Sequence, residues 1–566
     1  HGGGCDMERV LVACFLMALH IGTCAGATLE VRAAYYAIKT PSDPGSAIVM
    51  LRNNSKEAIE ITQVLMDGSF LPCFGVGEGL AVPTSKRNDP VLQLAAARIV
   101  WARLDPNPIP PSRSALLYVQ YSTRPPYAFQ LRVTGQGDVA AECKLLPVDT
   151  PVRITNVAFR DDLSECLVYV ENRSKGKGEQ IKAVEVNDTD VTASIWTSSR
   201  ETAPGAKELV TVPCFGLRVG EPVRVLVAFQ SGVHIAGCVR ALPTFLLALE
   251  HGPPEPSLGT RGMVHGPSGG NSAAPVIDHR VSAVRVSYGP PDGKDPGYWQ
   301  VYAAEVLRRK SSAAETNMRL PTFDALSRIR PELTCTAFAH MTDAGFLNPY
   351  LPQYSRANPR HPVDAILWAL DMVKAANAPN PFYSLVGVYK FGDEGQPPVP
   401  GELRRLVFTI LACGARGLIY RLNQSKLTPE LSASVRGINE KVTQLRPLLL
   451  PAEPVGWASS TNGQVLARTL CAGRDGVLLF LLNNGDAKGN LTSTGRAQVT
   501  VSAPEWLGGL SLAPESDPLD GSVTIDMQRI RVNVNQVPSA LVLVFKGSRA
   551  QNPPIVPKAP KRGATP

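Results

Sequence analysis

Pro400-Gly401-Glu402-Leu403-Arg404-Arg405-Leu406-Val407-Phe408-Thr409-Ile410-Leu411-Ala412-Cys413-Gly414-Ala415-Arg416-Gly417-Leu418-Ile419-Tyr420 is the stretch on which the architecture turns. Leu403, Leu406, Val407, Ile410 and Leu411 fall at i, i+3, i+4, i+7 and i+8, which predicts a helix with one apolar face over Glu402 to Cys413. Gly414 stops it, and Gly417 to Tyr420 reads as a short strand. Upstream, Val363, Ile366, Leu367, Leu370 and Val373 mark a second stripe within Pro362 to Ala376. The run Tyr383 to Phe391 follows it as a strand. A helix over Tyr298 to Arg309 and strands near Met318 to Phe323 and Cys335 to His340 are also expected. Downstream, Thr428 as N-cap and Pro429 at N1 open a helix with Leu431, Val435, Ile438, Val442 and Leu445 inward. Repeated β-α units of this kind predict a parallel sheet, open or closed into a barrel, over residues 246–452.

The flanks have another texture. Residues 28–149 and 150–245 carry short strands punctuated by Asn, Gly, Ser and Pro, which predicts two Ig-like antiparallel β-sandwiches. They share a faint duplication. Val49 to Ser55 resembles Val168 to Ser174, Pro72-Cys73-Phe74-Gly75 recurs as Pro213-Cys214-Phe215-Gly216, and Ala141-Glu142-Cys143 recurs as Ala236-Gly237-Cys238. On that alignment a disulfide is expected in each copy, Cys73–Cys143 and Cys214–Cys238, against the alternative of buried free thiols. Residues 453–547 return to strands and predict a C-terminal β-sandwich, and 548–566 read as a basic, Pro-rich disordered tail.

Composition narrows the class. Apolar residues are 44% and charged residues 19% of 566, which excludes wholesale disorder and leaves room for three to five domains at roughly 100–200 residues each. The net charge of +8 is spread without a basic stripe, so nucleic acid is not an expected partner. Met7-Glu8-Arg9, the apolar run Val10 to Leu19 and Ala25-Gly26-Ala27 have the order of an export signal, residues 1–27, with the mature chain starting at Thr28. A secreted, periplasmic or cell-surface protein without an integral membrane segment after signal removal is therefore expected. Eight cysteines then remain, with no C-x-x-C pair and no zinc spacing. No P-loop, dinucleotide fingerprint, G-x-S-x-G or H-E-x-x-H motif occurs, so neither cofactor nor metal is expected.

The run from Pro400 to Tyr420, with Asp343 and Asn348-Pro349-Tyr350-Leu351-Pro352-Gln353-Tyr354 ahead of it, resembles the last part of the barrel in TIM-barrel glycoside-hydrolase-like proteins with flanking β-sandwiches. The resemblance covers roughly 316–546. Asn348 stands where Asp is usual, and Arg421 follows the last strand where an aromatic is more common. The span 246–452 is also shorter than the roughly 250 residues of a typical barrel. The resemblance implies catalytic residues on loops at the C-terminal ends of strands and a pair of carboxyl groups for glycosidic hydrolysis. Glu394 is the expected proton donor and Asp343 the nucleophile or base. Tyr350, Tyr354, Tyr389 and Tyr420 are candidates for stacking on sugar rings, and His340 is expected to be a structural hydrogen-bonder. The partner is a carbohydrate, polysaccharide or glycan. The alternative function is a non-catalytic surface or envelope protein that binds glycan or protein through its sandwiches.

Overall fold

The computed structural model describes residues 28–40, 45–71, 73–75, 101–121, 124–125, 127–199, 201–214, 216–249, 256–258, 260–265, 281–285, 322–325, 340, 344–347, 349, 362–388, 398–422, 427–486 and 490–547. Seven parallel strands form a closed ring: Leu246–Leu249, Arg261–His265, Val281–Arg285, Thr322–Ala325, Ala344–Leu347, Phe382–Val388 and Gly417–Leu422. The ring closes where Leu246 to Leu249 pair with Gly417 to Tyr420. The expected helix Tyr298 to Arg309 lies outside the described residues. The strand expected near Cys335 to His340 lies, apart from His340, outside the described residues, and a further strand runs over Ala344–Leu347.

Alternation sorts each strand between the two faces of the ring. Leu246, Ala248, Ala344, Tyr383, Leu385 and Ile419 form one small cluster inside. Leu249, Leu347, Val386, Leu418 and Tyr420 face outward and join the helices Pro362–Asn377, Pro400–Ala412 and Pro429–Leu449 in the largest core. Gly417 is required by close approach. A Cβ there would stand 2.6 Å from the Leu246 carbonyl oxygen and 2.7 Å from Tyr383 Cδ1. The last helix begins as its sequence dictates, with Thr428 Oγ1 accepting from the Leu431 amide at 3.2 Å.

Three pairs of sheets surround the ring, and each pair encloses its own apolar layer. Val49 and Leu51 meet Val64 and Val133 in the first, and Val168 and Val170 meet Val184 and Val225 in the second. Leu479 and Leu481 meet Val499 and Val532 in the third. The first two share surface as well. Tyr35, Met50, Leu116 and Tyr118 leave the first unit to pack into the core of the second, and Tyr35 Oη donates to the Ala236 carbonyl at 2.5 Å. The third unit is fused to the ring by two strands buried on both faces. In Gly476–Asn483, Leu478, Phe480 and Leu482 face the ring helices, whereas Val477, Leu479 and Leu481 face the sandwich. Ala540–Lys546 alternates the same way. Phe480 meets the Phe408 ring edge-on at 6.0 Å.

One arrangement occurs in all three units. An asparagine ends the second strand of a hairpin and pairs with the first residue of its partner: Leu29 with Asn53, Val152 with Asn172, Val465 with Asn483. All three asparagines are fully buried. Each carboxamide nitrogen donates to two carbonyls of separate loops, Glu57 and Ile109, Lys177 and Thr202, or Thr492 and Val537, at 2.7–2.9 Å. Each Oδ1 accepts the amide two residues on, at 2.8–2.9 Å.

Asn172→Ala leaves two buried carbonyls and one amide without partners, at about 1–3 kcal/mol for such a group. The expected loss is roughly 2–4 kcal/mol in total, read as a lower urea midpoint at unchanged slope. Asn53 and Asn172 head N-x-S sequons. Their saturated, buried carboxamides exclude them as glycan acceptors in the folded protein, and glycopeptide mapping of chain made in a glycosylating host should find both bare.

Candidate functional site

The expected catalytic pair, Glu394 and Asp343, lies outside the described residues, as do Tyr350, Tyr354 and Tyr389. In the chain Glu394 follows the strand Phe382–Val388, and Asp343 precedes the strand Ala344–Leu347.

Tyr420 is not a sugar platform. It is fully buried in the outward core, and its hydroxyl donates to Asn439 Oδ1 at 2.7 Å. Asn439 in turn donates to the Leu258 carbonyl at 2.7 Å, so the pair locks the last helix to the wall of the ring. Burial raises the Tyr420 phenol far above its ordinary range, so it stays a neutral donor. The reason is parity. Ile419 points into the ring, Tyr420 out, and Arg421 in again.

Arg421 is thus a residue that reading by motif did not single out. It is half-buried near the C-terminal end of the last strand and pairs in register with Gly387. That neighbour has no side chain to occupy the same inner face. Below it the inner wall is apolar, from Ile419 and Leu385 to Leu246. A guanidinium above such a floor can hold a hydroxyl-rich or anionic group by forked hydrogen bonds.

His340 has the structural role expected of it. Its ring is buried and stacks on Tyr118 of the first sandwich, with centroids 4.6 Å apart and planes at 14°. Its Nε2 accepts a hydrogen bond from the Lys39 ammonium, which also donates to the Ala376 and Ala378 carbonyls at 3.1 and 2.7 Å. Burial, reinforced by Lys39 and Arg103, keeps the imidazole neutral. Lys39 thereby joins the first sandwich to the C-terminal end of the helix Pro362–Asn377, where a cation is favourable.

The cysteine pairing is corrected. Cys143, Cys214 and Cys238 are free thiols, while the Cys73 side chain lies outside the described residues. Two of the three sequence matches coincide in the fold. Asn53 and Asn172 end equivalent strands, and Cys143 and Cys238 sit on last strands that pair alike. The Pro-Cys-Phe-Gly match does not coincide. Cys73 belongs to a strand running parallel to Trp101–Asp105, whereas Cys214 follows the antiparallel strand Lys207–Pro213. Within the second sandwich Cys214 borders one sheet and Cys238 lies in the other. The neighbour of Cys214 is Cys166. Their hydrogen bond, then burial, holds the Cys166 thiol protonated, while Cys214 is lowered by accepting it.

At the other end of the ring lies a cleft of about 380 Å³, where the second sandwich, the helix Pro362–Asn377 and the third sandwich meet. Lys374, Ala375 and Ala378 line it ahead of the strand Phe382–Val388, so it opens on the side where strands begin. Glu453 is fully buried there, with Lys207 at 2.9 Å and Lys374 at 2.7 Å. Burial alone would raise its carboxyl, but the two ammonium groups overcome this and bring it to about 2.

No family model and no curated protein matches the chain. Solved structures similar to it include an α-L-fucosidase isoenzyme from Paenibacillus thiaminolyticus, with 9% identity, 46% of this chain and 74% of that one covered, and a TM-score of 0.34. A putative α-galactosidase from Bacteroides fragilis shares 8% identity over 70% of this chain and 97% of its own, with a TM-score of 0.32. A GH2 β-galacturonidase from Eisenbergiella tayi shares 10% over 69% and 89%, with a TM-score of 0.20. The likeness to glycoside hydrolases is distant. Among the described residues no helix is long and apolar enough to cross a membrane.

Two outcomes follow from this geometry. Tyr420→Phe removes a buried hydrogen bond and should lower stability by about 1–2 kcal/mol in urea titration. Glu453 has a folded pKa below its ordinary 4.5, so its contribution is complete above pH 4.5 and disappears as pH falls toward about 2. Urea midpoints measured from pH 6 down to pH 2.5 should fall most steeply in that window, and Glu453→Gln should flatten the fall while starting lower.

Proposed function

We propose that this chain is an exported glycoside-hydrolase-like protein that binds a carbohydrate at the C-terminal end of its ring and hydrolyses a glycosidic bond there. The observation that carries this reading is Arg421, a half-buried guanidinium on the inner face of the last strand, above an apolar floor and opposite a glycine. A closed ring of parallel strands presents the loops that follow its strands at that end, which is where such folds place their chemistry. In this reading the ring is the working part of an α/β barrel, and Arg421 orients the sugar through its hydroxyls.

Glu394 is the proton donor in this proposal, because it follows the strand whose Gly387 faces Arg421. It gives its proton to the leaving glycosidic oxygen, and a second carboxylate either attacks the anomeric carbon or activates water. Asp343 is kept in this proposal as that second group, the nucleophile or base.

The test is a panel of polysaccharides and aryl glycosides assayed with wild type and variants. Glu394→Gln should lower turnover by about 10²–10⁴-fold at unchanged substrate affinity, the usual worth of general acid catalysis. Arg421→Met should raise KM more than it lowers kcat, and Asp343→Asn should abolish turnover more nearly completely than Glu394→Gln. Full activity in Glu394→Gln removes that residue from the mechanism. An inactive wild type that still binds glycan in pull-down leaves a binding protein.

A further inference from the structure

The cleft at the N-terminal side of the ring is more than a packing defect between three units. Four cations line it, Arg153, Lys207, Lys374 and Arg468, against two acids, Asp371 and Glu453. The acids and nearby groups hold the cations in place without using all their donors. Arg153 is engaged by Glu171 and by the Lys39 carbonyl. Lys207 donates to Glu453 at 2.9 Å and to the Pro454 carbonyl at 3.0 Å, which leaves its third N–H. Arg468 meets Asp371 and Cys413 through one terminal nitrogen alone. Its Nε and other terminal nitrogen keep three N–H groups, each available for a single hydrogen bond and not as one fork.

The cations are also fixed before any ligand arrives. Glu453 is fully buried between two lysines, and Lys374 is only 14% exposed. Burial lowers Lys374 from its ordinary value, and Lys207 and Arg416 add to this while Glu453 opposes it. Thr155 and Thr469 line the same space. A neutral ligand would leave the spare N–H groups of Lys207 and Arg468 facing it without acceptors.

We infer that this cleft binds an oxyanion, a carboxylate or sulfate group, held between the third N–H of the Lys207 ammonium and the second terminal nitrogen of the Arg468 guanidinium. The site is separate from the C-terminal end of the ring and does not depend on the hydrolytic reading. The group can come free in solution or carried on an acidic saccharide.

Calorimetric titration of the full chain at fixed ionic strength, with sodium sulfate, sodium glucuronate and glucose as probes, tests this. Saturable heat with sulfate is expected, and none with glucose. Saturation by glucuronate as well assigns a saccharide-borne group, whereas saturation by sulfate alone assigns the free ion. Arg468→Gln should weaken binding about tenfold, the worth of one lost charge-assisted hydrogen bond. Its partner Asp371 is 43% exposed and stays solvated, so no buried charge is stranded. Should that variant not fold, acylation of wild-type Lys207 by an amine-reactive ester, followed by mass spectrometry, gives the second readout, and sulfate should slow it. Absence of saturation by both anions overturns the proposal. So does unchanged affinity in Arg468→Gln, and so does unprotected Lys207.

Discussion

A buried carboxamide holds each of the three sandwiches together. Asn53, Asn172 and Asn483 each end a strand in the core, where an unsatisfied polar group would be costly. Each avoids that cost by tying two otherwise unconnected loops to the hairpin. Their own amides repeat the pattern, donating to the carbonyls of Arg113, Ala206 and Ser539, each just ahead of the next strand in its sheet. One side chain thus fixes the hairpin register, the entry of the third strand and the course of two loops. Because a slip of one residue would turn every core side chain outward, such a pin is worth more than its hydrogen bonds alone.

The same constraint explains how far the sequence could be read. Asn53-Asn54-Ser55 and Asn172-Arg173-Ser174 are visible as a repeat because the serine two residues on binds locally, Ser55 Oγ to the Glu57 carbonyl and Ser174 Oγ to the Lys177 carbonyl. Asn483-Asn484-Gly485 does the same work with glycine in place of serine, and reads only as a turn signal. The Pro-Cys-Phe-Gly match misled for the opposite reason. It joins a strand edge to the residues after a strand, which share composition but not position. The helices were plain, since Pro362–Asn377 and Pro400–Ala412 carry their stripes and stops in one-dimensional spacing.

Site residues were harder to read, because their meaning depends on face. Tyr420 and Arg421 are adjacent in sequence, and a motif view favours the aromatic for binding. Strand parity reverses this, sending the tyrosine to Asn439 and the arginine toward the interior. Nothing local in Gly417-Leu418-Ile419-Tyr420-Arg421-Leu422 states which face is which. It follows only from pairing with Leu246–Leu249 and Phe382–Val388, both distant in sequence.

The two ends of the ring differ in how charge is handled. Where strands begin, cations and acids are interleaved at contact distance: Lys207 and Lys374 on Glu453, Arg468 on Asp371. Arg416 caps the last helix there, donating to the Leu449 and Ala452 carbonyls from a fully buried position. Removing one member of such a network strands the others in low dielectric, so it resists piecemeal change. Three units meet at this end, and the network fixes their mutual placement by directional bonds that apolar packing cannot supply. Where strands end, the inner face offers Arg421 opposite a glycine on an apolar wall. That network assigns assembly to the N-terminal side of this ring, and the function proposed above uses its C-terminal side. An oxyanion bound among the junction cations would bear on how the units are held, and a sugar above Arg421 on turnover.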